Sequence, residues 1–123
     1  MKFLRCAKCG KIVGIVKESA CNTIMCCGEE MKEMVANTTD AAKEKHVPVY
    51  NVKDNIVEVV VGEVAHPMTE EHLIEWIGLE TEQGNQRKVL KAGQEPKVCF
   101  AICPSDKVKA VYAYCNLHGL WKA

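Results

Sequence analysis

The sequence predicts a mostly β protein in two parts: a small N-terminal domain, residues 1–35, and an antiparallel β-sandwich or barrel, residues 36–123. Four of the eight cysteines form two pairs, in CAKC and MCCG, within the first part. A segment that short needs a staple, because it cannot bury a sufficient hydrophobic core. The second part contains short runs rich in valine, isoleucine and aromatic residues with turn signals between them, a pattern typical of antiparallel sheets.

The elements follow from these patterns in chain order. KIVGIVK, between the two cysteine pairs, predicts a short strand, and the polar residues 36–45 predict a loop or linker. Segment 72–80 fits a strand or a helix, and we assign a strand because its neighbours are strands. The strands predicted for the second part are 47–52, 56–64, 72–80, 97–102 and 108–115.

Charge and composition exclude several classes of function. Among 123 residues, the 16 basic and 16 acidic side chains cancel, which argues against nucleic acid as a main partner. Any attraction for an anion must therefore be local. No apolar run approaches the roughly 18 residues that a membrane span needs. MKFLRCAKCG is not followed by an apolar stretch of signal-peptide length, so we expect a cytoplasmic protein without a membrane partner.

The cysteine pairs indicate a metal site, because cysteines in a reducing compartment are more often metal ligands or redox groups than disulfides. Cys6, Cys9, Cys26 and Cys27 would surround one ion. Cys26 and Cys27 are adjacent, so both reach the same ion only if the backbone turns between them, as Gly28 would favour. Tetrahedral sulfur suits zinc or iron, and a structural zinc, a pair of disulfides or free thiols remain alternatives.

The four histidines and one further cysteine form a second candidate set. A single histidine is more often solvated or hydrogen-bonded than a ligand, but these lie near predicted strand ends, which meet at the rim of a sandwich. Four imidazoles and a thiolate are too many for a closed zinc site. Around iron they would leave one octahedral position open, opposite the thiolate, for a small oxygen species. The set consists of His46, His66, His72, Cys115 and His118.

Seven segments occur together in the order of a known family: CAKCG, CCGEEMK, NTTD, EKHVPV, HPM, HLIEWI and YCNLHGLWK. The chain resembles desulfoferrodoxin, the two-iron form of superoxide reductase. The resemblance implies a desulforedoxin-like first domain, with an Fe(Cys)4 centre held by the four paired cysteines. It also implies an immunoglobulin-like sandwich with a catalytic Fe(His)4Cys centre, in which the four histidines are equatorial ligands and Cys115 is axial.

The implied reaction is the one-electron reduction of superoxide to hydrogen peroxide without production of dioxygen. An electron donor such as rubredoxin and a homodimeric assembly are implied with it. Lys45 would lie near the open position and attract superoxide, while Glu44 would ligate the ferric resting state. Without the resemblance, Glu44 and Lys45 would be interpreted as a solvated pair in a loop.

Two other functions fit part of the sequence. An electron carrier would use both irons but needs no open coordination position. A structural zinc-binding module explains the cysteine pairs but leaves the histidines and Cys115 without a role. Cys21, Cys99 and Cys103 belong to neither candidate site, and Cys99 is expected to be a small buried hydrophobic residue.

Overall fold

A computed structural model describes residues 1–21 and 23–123 and confirms the mostly β prediction. Internal contacts divide the chain into two compact units, Met1–Val35 and Ala36–Ala123, called here the first and second units. All strand pairs in the described ranges are antiparallel. None of the helices formed by these residues is long and apolar enough to cross a membrane.

The first unit consists of a three-stranded sheet, in the order β2-β1-β5, and the hairpin β3-β4. Its strands are β1 Lys2–Arg5, β2 Ile12–Ile15, β3 Met25–Cys26, β4 Glu29–Glu30 and β5 Lys32–Glu33. A cluster of three buried side chains, Leu4, Cys6 and Met31, forms its core. A core of this size stabilises so few residues only weakly, so a bound metal would contribute substantially to the stability of this unit.

The second unit is a sandwich of two sheets, in the orders β10-β7-β6 and β12-β11-β8-β9. Three strands facing four, all antiparallel, is the arrangement of an immunoglobulin-like sandwich. Its elements are α1 Lys43–His46, β6 Pro48–Lys53, β7 Ile56–Val61, β8 Ile74–Thr81, β9 Asn85–Val89, β10 Lys97–Ala101, β11 Val108–Cys115 and β12 Gly119–Lys122.

Alternation along the strands builds the core of the second unit. On β7, Val57, Val59 and Val61 are fully buried, while the residues between them are partly or wholly exposed. They belong to the same buried cluster as side chains from β8, β10 and β11. Cys115, the last residue of β11, is a member of this cluster, so the buried core extends to one end of the sandwich. This position makes the sulfur inaccessible to bulk water.

Most sequence-based elements are confirmed, with three differences. Six strands were not predicted: β1, β3, β4, β5 and β12, which have two to four residues each, and β9, whose sequence NQRKV is polar and exposed throughout. The predicted loop 36–45 contains the start of the helical turn α1. The burial expected for Cys99 is wrong: its side chain is exposed, because Val98 and Phe100 occupy the inward positions of β10. Cys21 and Cys103 are exposed as well.

Candidate metal centres

The first centre lies in the first unit, where four sulfur atoms come together. The sulfur atoms of Cys6, Cys9, Cys26 and Cys27 are all within 4.8 Å of one another. Cys9 Sγ lies 3.7 Å from Cys26 Sγ, which lies 3.9 Å from Cys27 Sγ. Four sulfurs at about 2.3 Å from a tetrahedral ion are roughly 3.8 Å apart, whereas a disulfide requires about 2.05 Å. The geometry therefore fits a metal site with four cysteine ligands, and all eight cysteines are unpaired.

A tight turn explains how two adjacent cysteines reach one site. Cys27 and Gly28 connect β3 to β4 and have φ angles of 53° and 75°. Two successive left-handed residues form the hairpin turn that matches the twist of the flanking strands. On an extended strand the side chains of Cys26 and Cys27 would point in opposite directions. The turn cancels that alternation, as the sequence required.

Hydrogen bonds prepare the first centre for a cation. The Cys9 amide N–H donates to Cys6 Sγ over 3.5 Å and lowers the pKa of Cys6 to about 6. The pKa of Cys26 is raised to about 12, chiefly by its hydrogen bond with Cys6, and that of Cys27 is raised by its interaction with Cys9. The Cys6 thiolate thus forms readily, while Cys26 and Cys27 retain their protons. A bound cation would displace those protons and hold four thiolates together.

The second centre lies at one end of the sandwich, where five separate positions of the chain meet. His46 ends α1, His66 follows β7, and His72 precedes β8. Cys115 ends β11, and His118 lies in the turn before β12. His46, His66 and Cys115 are buried, while the two others are half-buried. Strand ends therefore gather the residues that the sequence analysis grouped.

The four imidazoles form a square. Successive ring centroids, in the order His46, His66, His72, His118 and back to His46, lie 4.6, 4.7, 5.0 and 4.8 Å apart. The diagonal between His46 and His72 is 6.2 Å. Neighbouring rings are nearly perpendicular, with interplanar angles of 76° to 88°. Such a square can present four nitrogen atoms to one ion.

Distances between donor atoms agree with a shared ion. The donor atoms of His46, His66, His72 and Cys115 lie within 4.8 Å of one another. His118 approaches through Nδ1, which is 3.0 Å from His46 Nε2 and 3.9 Å from Cys115 Sγ. Two nitrogens at right angles around an ion, with bonds of about 2.1 Å, are roughly 3.0 Å apart. All five predicted donors are thus brought together.

Backbone carbonyls orient two of the rings. His46 Nδ1 donates to the Ala42 carbonyl over 2.7 Å, and His66 Nδ1 donates to the Pro67 carbonyl over 2.6 Å. The Nε2 lone pairs of both rings are therefore available to a ligand. Nε2 of His66 and of His72 is buried without a hydrogen-bond partner among residues 1–21 and 23–123. Buried polar atoms are seldom left unpaired, and a metal ion would satisfy both.

Burial keeps the imidazoles neutral and therefore able to bind a metal. It lowers the pKa of His66 to about 4, and the neighbouring histidines contribute in the same direction. Burial is also the main cause of the lowered pKa values of His46 and His72. Lys45 is exposed on α1, and its positive charge lowers both pKa values further. Its electrostatic effect therefore reaches two of the four imidazoles. Glu44, also exposed on α1, acts on His46 in the opposite direction.

The thiol of Cys115 needs a cation to lose its proton. Burial raises its pKa, and the amide N–H groups of Leu117 and His118, which face the sulfur, only partly oppose this effect. Uncompensated, a buried thiolate is unfavourable; a bound cation reverses the balance. The sulfur and the nitrogen donors therefore form a set that suits a redox-active transition metal.

Sequence reasoning missed two residues that hold these donors in place. Gly62 contacts the backbone of Lys45, and its N–H donates to the Val47 carbonyl over 3.1 Å. Asn116 bonds to the segment that carries His72. In the sequence, Gly62 is visible only as a turn residue, and Asn116 only as a residue between Cys115 and His118. Neither pattern identifies a contact with a segment that is distant along the chain.

An antiparallel sandwich with four imidazoles and a thiolate at one end, together with a cluster of four cysteines, defines a non-haem metal-binding protein. The family described as desulfoferrodoxin matches residues 38–123. A desulfoferrodoxin homolog of Archaeoglobus fulgidus is 49% identical over 123 residues, which cover 100% of this chain and 96% of that one. The chain therefore belongs to the desulfoferrodoxin family, as the resemblance predicted.

Solved structures agree with this assignment. The crystal structure of the superoxide reductase from Treponema pallidum superimposes with a TM-score of 0.82 at 39% identity, over 98% of each chain. The superoxide reductase (1Fe-SOR) from Giardia intestinalis gives a TM-score of 0.56 at 39% identity and covers 66% of this chain and 96% of that one. The immunoglobulin-like fold is thus shared with proteins named superoxide reductase.

Replacing Cys9 by serine is expected to remove the metal of the first centre and leave that of the second. The two donor sets lie in separate compact units, so the loss of one thiolate unfolds only the unit that lacks a sufficient core. Metal analysis and amide NMR signals from each unit measure the effect. Loss of the second metal as well would show that the two units fold together. Cys21→Ser, at an exposed thiol of the same unit, is the control.

Proposed function

We propose that this chain is a superoxide reductase, which reduces superoxide to hydrogen peroxide without producing dioxygen. The observation that carries the proposal is the square of four imidazoles with a buried cysteine sulfur beside it. Five donors leave one octahedral position for a small ligand, which a protein that only passes electrons would not need. The relatives named superoxide reductase support the same activity.

The proposed domains and metal ligands follow the sequence analysis. Residues 1–35 would be a desulforedoxin-like domain with an Fe(Cys)4 centre, and residues 36–123 the catalytic domain. Ferrous iron in the second site would supply one electron to superoxide, which takes up two protons and leaves as hydrogen peroxide. His46, His66, His72 and His118 would hold this iron as neutral donors, with Cys115 as the anionic one. The thiolate increases electron density at the site and thereby favours reduction of the substrate.

Two charged residues of α1 would act on the substrate and on the site. The ammonium group of Lys45 would attract the superoxide anion and help to order a proton-donating water. Its effect on the pKa of His72 supports this position near the histidines. The Glu44 carboxylate would approach the ferric resting state as a further ligand. A local charge is required because the chain has no net charge to attract an anion.

Partners and location are part of the same proposal. We include a one-electron donor such as rubredoxin and a homodimeric assembly, as the family resemblance implies. Eight unpaired thiols suit a reducing compartment, which supports a cytoplasmic location.

An anaerobic visible absorption spectrum of the purified protein, before and after stoichiometric superoxide, tests the function. We expect thiolate-to-iron absorption to appear as the second centre is oxidised, together with hydrogen peroxide and no dioxygen. A colourless protein that does not change would indicate zinc and a structural module. A second centre that superoxide leaves reduced, although an added one-electron acceptor oxidises it, would indicate an electron carrier.

Replacing Lys45 by alanine is expected to slow the reaction with superoxide by about 3- to 10-fold at low ionic strength, because one attracting charge is lost. The dependence of the second-order rate constant on salt should weaken at the same time. Pulse radiolysis over a range of salt concentrations measures both effects. Lys43→Ala is the matched control, since Lys43 is exposed on the same turn but does not contribute to the lowered pKa of His72. Equal slowing in both variants would mean that Lys45 has no specific role.

A further inference from the structure

We infer that Asn116 is a positioning residue that holds His72 in place relative to Cys115. The inference rests on the second metal site of the proposed function, but not on the reaction carried out there. Asn116 follows Cys115 directly, and its half-buried side chain reaches across to the segment that carries His72. The two segments are 43 to 45 residues apart in the chain.

Three hydrogen bonds join Asn116 to both neighbours of His72. The side-chain Nδ2 donates to the Glu71 carbonyl over 2.9 Å, and Oδ1 accepts from the Leu73 amide over 3.0 Å. The Asn116 amide also donates to the Leu73 carbonyl over 3.2 Å. One planar amide group therefore binds the residue before His72 and the residue after it. Rotation or displacement of the His72 backbone would break at least one of these bonds.

His72 depends on its backbone more than the other imidazoles do. Rings of His46 and His66 are oriented by their own bonds to carbonyls. His118 shares a turn with Cys115, and its Nδ1 lies 3.9 Å from the sulfur. The His72 ring, by contrast, has no hydrogen-bond partner in the described part of the chain. Its main chain is instead tied to Thr69, whose Oγ1 accepts from the His72 amide over 3.1 Å.

Asn116 thus replaces the orienting bond that the His72 ring lacks. Residues that bond to a metal ligand increase metal affinity, because they hold the ligand in its binding orientation before the metal binds. Without the side-chain amide of Asn116, the loop before β8 keeps its bond between Thr69 and His72 but loses the two bonds that tie it to the residue after Cys115. The separation between the His72 nitrogen and the Cys115 sulfur would then vary.

Metal retention by the full-length, iron-loaded protein tests this inference. Under excess EDTA without oxygen, Asn116→Ala should lose the iron of the second centre about 10- to 100-fold faster than wild type. The phase of iron release that is missing from Cys115→Ser identifies this centre. Asn116→Asp keeps the acceptor for Leu73 but loses the donor to Glu71, so an intermediate rate is expected. The thiolate absorption maximum of the oxidised second centre should shift in both variants.

Asn37 is the matched control. Its side chain also makes one donor bond and one acceptor bond to a distant backbone segment, here a single residue of β12: Nδ2 donates to the Lys122 carbonyl over 3.0 Å, and Oδ1 accepts from the Lys122 amide over 2.9 Å. No proposed ligand is next to Lys122. Asn37→Ala should lower the thermal midpoint of unfolding as Asn116→Ala does, but release iron at the wild-type rate.

Release at the wild-type rate from Asn116→Ala would overturn the inference. Equal acceleration in Asn37→Ala would also overturn it, because general destabilisation would then be the cause. If Asn116→Ala does not fold, Asn116→Asp decides by the same comparison. A wild-type protein that holds iron but does not reduce superoxide would refute the proposed function, while the release rates would still decide the role of Asn116.

Discussion

Replacing Cys115 by serine is expected to remove superoxide reduction almost completely, by at least about 100-fold, because loss of an outer partner alone costs roughly 10- to 100-fold. A serine hydroxyl keeps its proton at neutral pH and donates far less electron density to a metal than a thiolate does. The sulfur is fully buried at the end of β11, so no other group replaces it. The thiolate absorption of the second centre should disappear while that of the first centre remains.

Cys99→Ser provides the control, since the same change at an exposed thiol of the second unit should leave both centres intact. The folded structure should also survive in Cys115→Ser. The amides of Leu117 and His118 that face the sulfur can donate to the serine oxygen. Rates of superoxide reduction by both variants, together with visible spectra of each centre, test whether the Cys115 sulfur is needed. Undiminished activity of Cys115→Ser would exclude this sulfur from the catalytic site.

Replacing Gly62 by alanine should produce the largest loss of stability, about 2–5 kcal/mol for the second unit. Gly62 has a φ of 85°, which is costly for any residue with a Cβ. An added Cβ would lie 2.5 Å from the carbonyl oxygens of both Lys45 and Val64. Relief of that clash must move the backbone next to His46. We therefore expect loss of metal from the second centre as well as a lower midpoint of unfolding.

Gly93→Ala separates the two causes of this loss. Gly93 has nearly the same φ, 86°, but nothing lies within 4 Å of an added Cβ. It should cost only the strain of the backbone conformation, about 1–2 kcal/mol, and retain both metals. Denaturant titration and metal analysis of the two variants give the comparison. Similar stability and similar metal content in both would show that close packing against Lys45 is unimportant.

The predicted strands depend on local patterns, which explains why they agree with the structure. β7 buries every second residue, a period that a sheet with one buried face requires. β11 is buried continuously from Ala110 to Cys115, and its β-branched and aromatic residues favour a strand. NQRKV of β9 has no such pattern. It forms a strand because it pairs with β8 from Trp76 to Glu80, and pairing with a partner strand is not encoded in its own five residues.

Cys99 shows how a residue type misleads when its position is ignored. Free cysteine is often buried, but the side of β10 that faces the core is determined by Val98 and Phe100. The opposite case is Cys27, whose left-handed conformation allows two adjacent cysteines to face one site. The sequence indicated that a turn was necessary there, since Gly28 follows directly.

By itself, the sequence determined the mostly β class and the family, because these depend on residue types and spacings along the chain. Tertiary structure alone decided how the donors meet. His46 and His118 are 72 residues apart, yet two of their ring nitrogens lie 3.0 Å from each other. The contacts of Gly62 and Asn116 also join distant segments. Such proximity results from the pairing and packing of strands, which no local pattern specifies.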